Sequence, residues 1–138
     1  MKRRQARIVA LTVLYQWDLV GQDLDTALAA ALSESGLGGA RDYAGDLVTG
    51  VRRTLPEIDA RLGESAIDWR VERMSTIDRN LLRLGSYELS DRREIPTSVV
   101  INEAVELAKS FSTPEAARFI NGILGRVARA VRDPAAKV

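Results

Sequence analysis

Residues 75–91 read Ser-Thr-Ile-Asp-Arg-Asn-Leu-Leu-Arg-Leu-Gly-Ser-Tyr-Glu-Leu-Ser-Asp, and this stretch decides the fold class. Ser75 can cap a helix start, and Asp78 follows three residues later, as in a capping box. The charged run 91–94 and then Pro96 mark the end of the helix. The apolar positions repeat at helical spacing: Ile77, Leu81, Leu82, Leu84 and Leu89. The pattern predicts a long helix at the centre of the protein.

Helical spacing continues on both sides of this stretch, so the sequence predicts an all-α protein. Asn121-Gly122 is a hairpin signal in other contexts, but its apolar neighbours keep helical spacing here. We therefore expect helix there, with Gly122 and Gly125 facing another helix closely. Residues 1–138 are expected to form a single domain. Asp25 is expected to cap the second helix, Thr97 or Ser98 the sixth, and a hydroxyl group of Ser112-Thr113 the last. The other helices are expected at about Arg3 to Val20, Thr26 to Leu32, Arg41 to Thr54, Pro56 onward, a sixth ending at about Phe111, and Pro114 to Val131.

The composition excludes several classes of protein. The 138 residues contain no Cys and no His, which removes disulfides, thiolate zinc sites and the commonest general base. No stretch of about 18 uncharged apolar residues is present, so we expect a cytoplasmic protein with no membrane span. Neither a phosphate-binding glycine loop nor a nucleophile elbow occurs. Glu103 and Glu106 share a helix face, which we interpret as a solvated or ion-paired surface rather than a metal site. We expect no catalytic residue, no metal and no cofactor.

Positive charge is concentrated at the start of the first helix. Residues 1–10 carry a charge of +4, whereas the whole chain carries +1. Arginine at a helix N-terminus opposes the helix dipole, so stability gives little reason for Arg3, Arg4 and Arg7. A bound phosphate would give one, and a solvated end that aids solubility is the alternative. Tyr15 and Asp18 lie three turns further along the face of the predicted helix that carries Arg4 and Arg7, because eleven residues make about three turns.

A second basic group lies on the last predicted helix at Arg118, Arg126, Arg129 and Arg132, and Lys109, Phe111 and Phe119 cluster around the turn before it. A cation near the end of a helix also suits the helix dipole, so a structural role is the alternative for Arg126, Arg129 and Arg132. Charge for phosphates and flat rings for bases are what binding of single-stranded RNA requires. Packing in the core is the alternative for both phenylalanines. The sequence therefore favours a recognition surface over an active site.

Three blocks of sequence resemble the NusB family. One is Arg3-Arg4-Gln5-Ala6-Arg7 leading to Leu14-Tyr15-Gln16-Trp17, and another is Ile77 to Leu89 in full. The remaining block comprises Ile95-Pro96, Val100 to Phe111, and Phe119-Ile120-Asn121-Gly122-Ile123-Leu124. The resemblance implies a compact all-α bundle of about seven helices in two packed helical subdomains, without catalysis.

The resemblance also implies a function in transcription antitermination. NusB proteins bind the boxA element of nascent ribosomal RNA together with NusE, a small-subunit ribosomal protein. The pair joins RNA polymerase with other Nus factors. Matching positions imply RNA contacts at Lys2, Arg3, Arg4, Arg7, Lys109, Phe111, Arg118 and Phe119. They imply contacts with NusE at Tyr15, Glu72 and Asp78.

Two alternatives stay open on the sequence alone. The protein could be a helical adaptor that binds only proteins, with a basic terminus that serves solubility. It could also be a monomer or a homodimer, and a dimer could bury the same basic helix.

Overall fold

The computed structural model describes residues 3–34, 36–66 and 70–132 of the chain. These residues form seven α-helices and contain no β-strand, which confirms the predicted all-α class. The helices are α1 Arg3–Tyr15, α2 Leu24–Glu34, α3 Arg41–Arg53, α4 Leu55–Ser65, α5 Thr76–Asp91, α6 Thr97–Phe111 and α7 Pro114–Arg132.

Helix α5 lies at the centre, as residues 75–91 predict. Every position from Asn80 to Leu89 is buried, because α1, α3, α4, α6 and α7 all pack on this helix. Its buried polar side chains have partners, which offsets their loss of water. For example, Arg61 Nη1 donates to Ser86 Oγ at 3.0 Å. Helices α1–α3 pack as one group and α4–α7 as a second, and α5 joins the two.

Two glycines allow helices to approach α5 closely. A Cβ atom added to Gly50 in α3 would overlap the ring of Tyr87. One added to Gly85 would lie 2.7 Å from Leu124 Cδ1 of α7. The expectation that Gly122 and Gly125 mark the close contact is wrong. Among the described residues, a Cβ atom added to either glycine would meet only the guanidinium of Arg126 or Arg129 of the same helix, at 3.9 Å.

The helix ends follow the local signals in some places and depart from them in others. Ser75 Oγ accepts from the Asp78 backbone N–H, and Thr113 caps α7 in the same manner, as predicted. The cap of α2 is Asp23 rather than Asp25, since the Asp23 carboxylate accepts from the Thr26 N–H at 3.0 Å. Asn121-Gly122 lies within α7, as expected.

The first helix does not continue regularly to Val20. It ends at Tyr15, and residues Gln16–Val20 form a wider π-helical turn that closes at Gly21 with a φ of 81°. A π-helical turn rotates the side chains after it relative to an α-helix. Asp18 therefore faces the N-terminal half of α5 instead of continuing the surface stripe of Arg4 and Tyr15.

Arg132 closes the opposite end of α5. Its guanidinium donates hydrogen bonds to four backbone carbonyl oxygens, two in the last turn of α5 and two in the residues that follow it. The acceptors are those of Glu88 at 3.1 Å, Leu89 at 2.8 Å, Arg92 at 3.0 Å and Ile95 at 2.6 Å. Carbonyl groups at a helix end have no partners within the helix, and a cation there also matches the helix dipole.

Candidate nucleic-acid interface

The arginines at the start of α1 occupy two different environments. Arg3 and Arg4 lie near the surface, with the Arg3 guanidinium 5.2 Å from the centre of the Tyr43 ring. Arg7 is buried, with 5% of its side chain exposed. Its neighbours Ala6 and Ala10 are also buried, so this side of α1 faces the core.

The guanidinium of Arg7 is bound by acids of the protein itself. Its Nε and Nη2 each donate to a carboxylate oxygen of Glu88 at 2.8 Å, and its Nη1 donates to Glu103 at 3.2 Å. The Tyr43 hydroxyl donates to the same Glu88 carboxylate. The sequence interpretation of Arg7 as a direct RNA contact does not fit this geometry. Arg7 instead fixes α1 to α5 and α6.

Arg4 is paired as well, but at the surface. Its Nε donates to Glu103 Oε1 at 3.1 Å and its Nη2 donates to Oε2. The hydrogen bond from Arg4 lowers the pKa of the Glu103 carboxyl below its ordinary range, although burial opposes this. The interpretation of Glu103 as an ion-paired residue agrees with these contacts. Lys2 lies outside the described residues.

The second basic and aromatic group lies beside the first. Phe111, at the end of α6, is 46% exposed and shares a groove of about 290 Å³ with Arg4 and Ile8. Lys109 is exposed and lies 3.6 Å from Glu106. The structure therefore brings Arg4 and Phe111 together, although 107 positions separate them in sequence.

Tyr15 lies in the adjoining groove. This groove has a volume of about 240 Å³ and is lined by Tyr15, Phe111, Ile77 and three further residues of α1. Tyr15 is partly buried, as expected for an aromatic residue at the edge of a contact surface. The predicted RNA contact Phe111 and the predicted protein contact Tyr15 therefore share one depression.

A third groove begins one residue further along α5, since Ile77 lines the groove of Tyr15 and Asp78 lines this one. It has a volume of about 210 Å³ and is lined by Asp78 and Phe119 together with residues of the 70–75 segment and of the start of α7. Asp78 Oδ1 is buried and has no hydrogen-bond partner among the described residues. Arg73 also lines this groove, and sequence reasoning missed it because no local motif marks it. Arg118 is exposed on α7, next to Phe119.

Glu72 is separated from the other predicted contacts. It is exposed at the rim of a cavity of about 620 Å³ that Asp18, Asp59, Arg79 and Arg83 also line. The Asp18 carboxylate accepts from Arg79 at 2.5 Å and from Arg83 at 2.9 Å. Asp18, Asp59, Arg79 and Arg83 are therefore ion-paired with one another, and the exposed residues Glu72 and Arg70 also line the cavity.

The contacts of Asp18 predict a pH dependence of stability. Burial disfavours the charged form, but hydrogen bonds from Arg79 and Asn80 outweigh it, so the pKa of Asp18 lies below its ordinary value of 3.8. The ionised Asp18 therefore stabilises the folded protein fully above pH 3.8. This stabilisation is lost as the pH falls through the lower pKa that Asp18 has in the folded protein. We expect Asp18→Asn to flatten the pH dependence of the unfolding free energy between about pH 5 and 3. Urea unfolding measures this, and equal slopes for both proteins would contradict it.

The fold and this face define an all-α binding domain, with charged and aromatic grooves on one side. No helix in the described ranges is both long and apolar enough to cross a membrane. In the same ranges, no three acidic, His or Cys side chains gather as a metal site would need.

The chain belongs to the NusB family, whose model matches residues 4–129. The transcription antitermination protein NusB of Desulforamulus reducens is 46% identical over 92% of this chain and 90% of that protein. The structure of T. maritima NusB superposes with a TM-score of 0.89 at 32% identity, covering 100% of this chain and 99% of that one. A structure of antitermination factors NusB and NusE in complex with dsRNA superposes with a TM-score of 0.85 at 31% identity, covering 93% and 96%.

Proposed function

We propose that this protein is a transcription antitermination factor that binds the boxA element of nascent ribosomal RNA together with NusE. The complex would act on RNA polymerase with other Nus factors. The observation that carries the proposal is a pair of grooves that share Phe111, one reaching Arg4 and the other Tyr15, with a third groove at Asp78 and Phe119. Family membership and the related NusB–NusE–RNA structure support it.

The proposed RNA contacts lie along this face. Exposed cations can bind phosphates, and partly exposed rings can stack on unpaired bases. In this proposal Arg7 supports the RNA contacts by fixing the start of α1, since its guanidinium is bound to Glu88. The proposed contacts are Arg3, Arg4, Lys109, Phe111, Arg118 and Phe119, with Lys2 as a further cation outside the described residues.

The proposed NusE contacts are Tyr15, Asp78 and Glu72. Tyr15 combines an apolar ring with a hydroxyl at the edge of a groove, which is a common arrangement at protein interfaces. Asp78 and Glu72 add negative charge to the proposed contact residues, so the matching surface of NusE is expected to carry basic residues. Asp78 and Phe119 share a groove, so RNA and NusE would lie side by side there.

A salt titration tests the RNA contacts. The Arg3→Ala/Arg4→Ala double variant leaves the buried Arg7 intact, so the fold is retained. Each phosphate contact to a single strand contributes about 0.7 to the slope of log affinity against log salt, so we expect the double variant to lower this slope by about 1.4. Fluorescence anisotropy with a boxA-type RNA, with and without NusE, measures it.

The matched control is Arg52→Ala/Arg53→Ala at the end of α3, which removes the same charge at residues that line none of the three grooves. We expect this control to change the slope much less. Binding that does not respond to Arg3 and Arg4, while NusE still binds, would favour the adaptor that contacts only proteins. Light scattering of the same samples distinguishes a monomer from a homodimer.

A further inference from the structure

The ion pair between Arg4 and Glu103 lies inside the proposed RNA-binding face. It joins the start of α1 to the middle of α6 through two parallel hydrogen bonds. The Arg4 side chain is 53% exposed, whereas that of Glu103 is 16% exposed. An exposed arginine of the proposed RNA-binding face is thus already bound by a carboxylate of the same chain.

Arg7 makes this ion pair easy to open. Its Nη1 donates to the Glu103 oxygen Oε1, which also accepts from Arg4. If Arg4 leaves, Glu103 keeps Arg7 as a cationic partner, so no carboxylate is left buried without a counter-charge. Ion pairs at the surface contribute little to stability, so the release of Arg4 costs little free energy.

We propose that Glu103 is an internal competitor of RNA for Arg4. A phosphate group and the Glu103 carboxylate both accept two hydrogen bonds from the same edge of a guanidinium. In the free protein Glu103 occupies that edge. In the complex a phosphate replaces it, and Glu103 stays on Arg7. The inference rests on the proposed RNA binding and assigns a further residue to that surface.

The Glu103→Gln variant tests the competition. Glutamine keeps the size and one acceptor oxygen but removes the charge. We expect boxA-type RNA to bind about two- to five-fold more tightly, the factor that corresponds to an exposed ion pair. The matched control is Glu57→Gln, the same change at an exposed position in α4, a helix that packs on α3, α5 and α7. In an Arg4→Ala background the gain from Glu103→Gln is expected to disappear.

The outcomes separate this inference from the proposed function. An equal gain from Glu57→Gln, a gain that survives Arg4→Ala, or weaker binding by Glu103→Gln overturns the competition while RNA binding itself stands. Absence of RNA binding by the unsubstituted protein overturns both.

A second measurement needs no variant. In the NMR spectrum of the arginine Nε–H groups, we expect added RNA to shift the Arg4 signal and to leave the Arg7 signal in place. An Arg4 signal that does not move on saturation with RNA overturns the competition.

Discussion

Glu88→Gln is expected to lower the free energy of unfolding by about 3 kcal/mol, because it leaves the Arg7 guanidinium buried without its main counter-charge. Breaking a buried ion pair on one side commonly costs about 3–5 kcal/mol, and the remaining contact with Glu103 places this case at the lower end. The Tyr43 hydroxyl also loses a charged acceptor. Urea unfolding followed by circular dichroism measures the change.

The matched control is Glu106→Gln, whose exposed pair with Lys109 is expected to contribute less than about 1 kcal/mol. An Arg7→Met/Glu88→Gln double variant sharpens the test, since it removes both charges. We expect the double variant to lose less than the sum of the two single losses, because neither charge is left alone. A loss from Glu88→Gln no larger than that of the control would show that Glu88 is not the main partner of Arg7.

Gly50→Ala is expected to destabilise the protein by about 2–3 kcal/mol, the cost of overpacking a rigid core. The opposite sign is usual inside a helix, where alanine is more favourable than glycine by about 1 kcal/mol. Here the new methyl group overlaps the Tyr87 ring, which is 1% exposed. The ring cannot move aside easily, because its hydroxyl donates to Asp46 at 3.0 Å.

Gly63→Ala in α4 is the matched control, because no atom of another described element lies within 4 Å of the added atom. We expect it to stabilise the protein by about 0.5–1 kcal/mol through the helix propensity alone. Thermal and urea unfolding of both variants give the comparison. If both glycine replacements stabilise the protein, α3 and α5 are further apart than the structure places them.

The parts of the fold that depend on local chemistry could be predicted from the sequence. The caps at Ser75 and Thr113 are hydroxyl groups next to the N–H groups they accept from, so spacing alone identifies them. The central position of α5 follows from its apolar positions, which extend around most of the helix. Helix through Asn121-Gly122 follows from the spacing of its neighbours.

The role of Arg7 could not be predicted in the same way. A basic residue near a helix start is normally solvated, and only partners 81 and 96 positions away show that this one is buried and paired. The same holds for the glycines, since the close contacts at Gly50 and Gly85 depend on side chains of other helices. The π-helical turn that points Asp18 at α5 has no pattern in the sequence that we could identify.

The cap that Arg132 forms on α5 has a consequence for the order of synthesis. Arg132 leaves the ribosome 44 residues after Glu88, whose carbonyl group it binds. At about 5–20 residues per second, this delay lasts about two to nine seconds. A helix can form within about a microsecond, so α5 can form seconds before its C-terminal carbonyl groups gain the hydrogen bonds from Arg132. The centre of the protein is thus completed only when its last described helix has been translated.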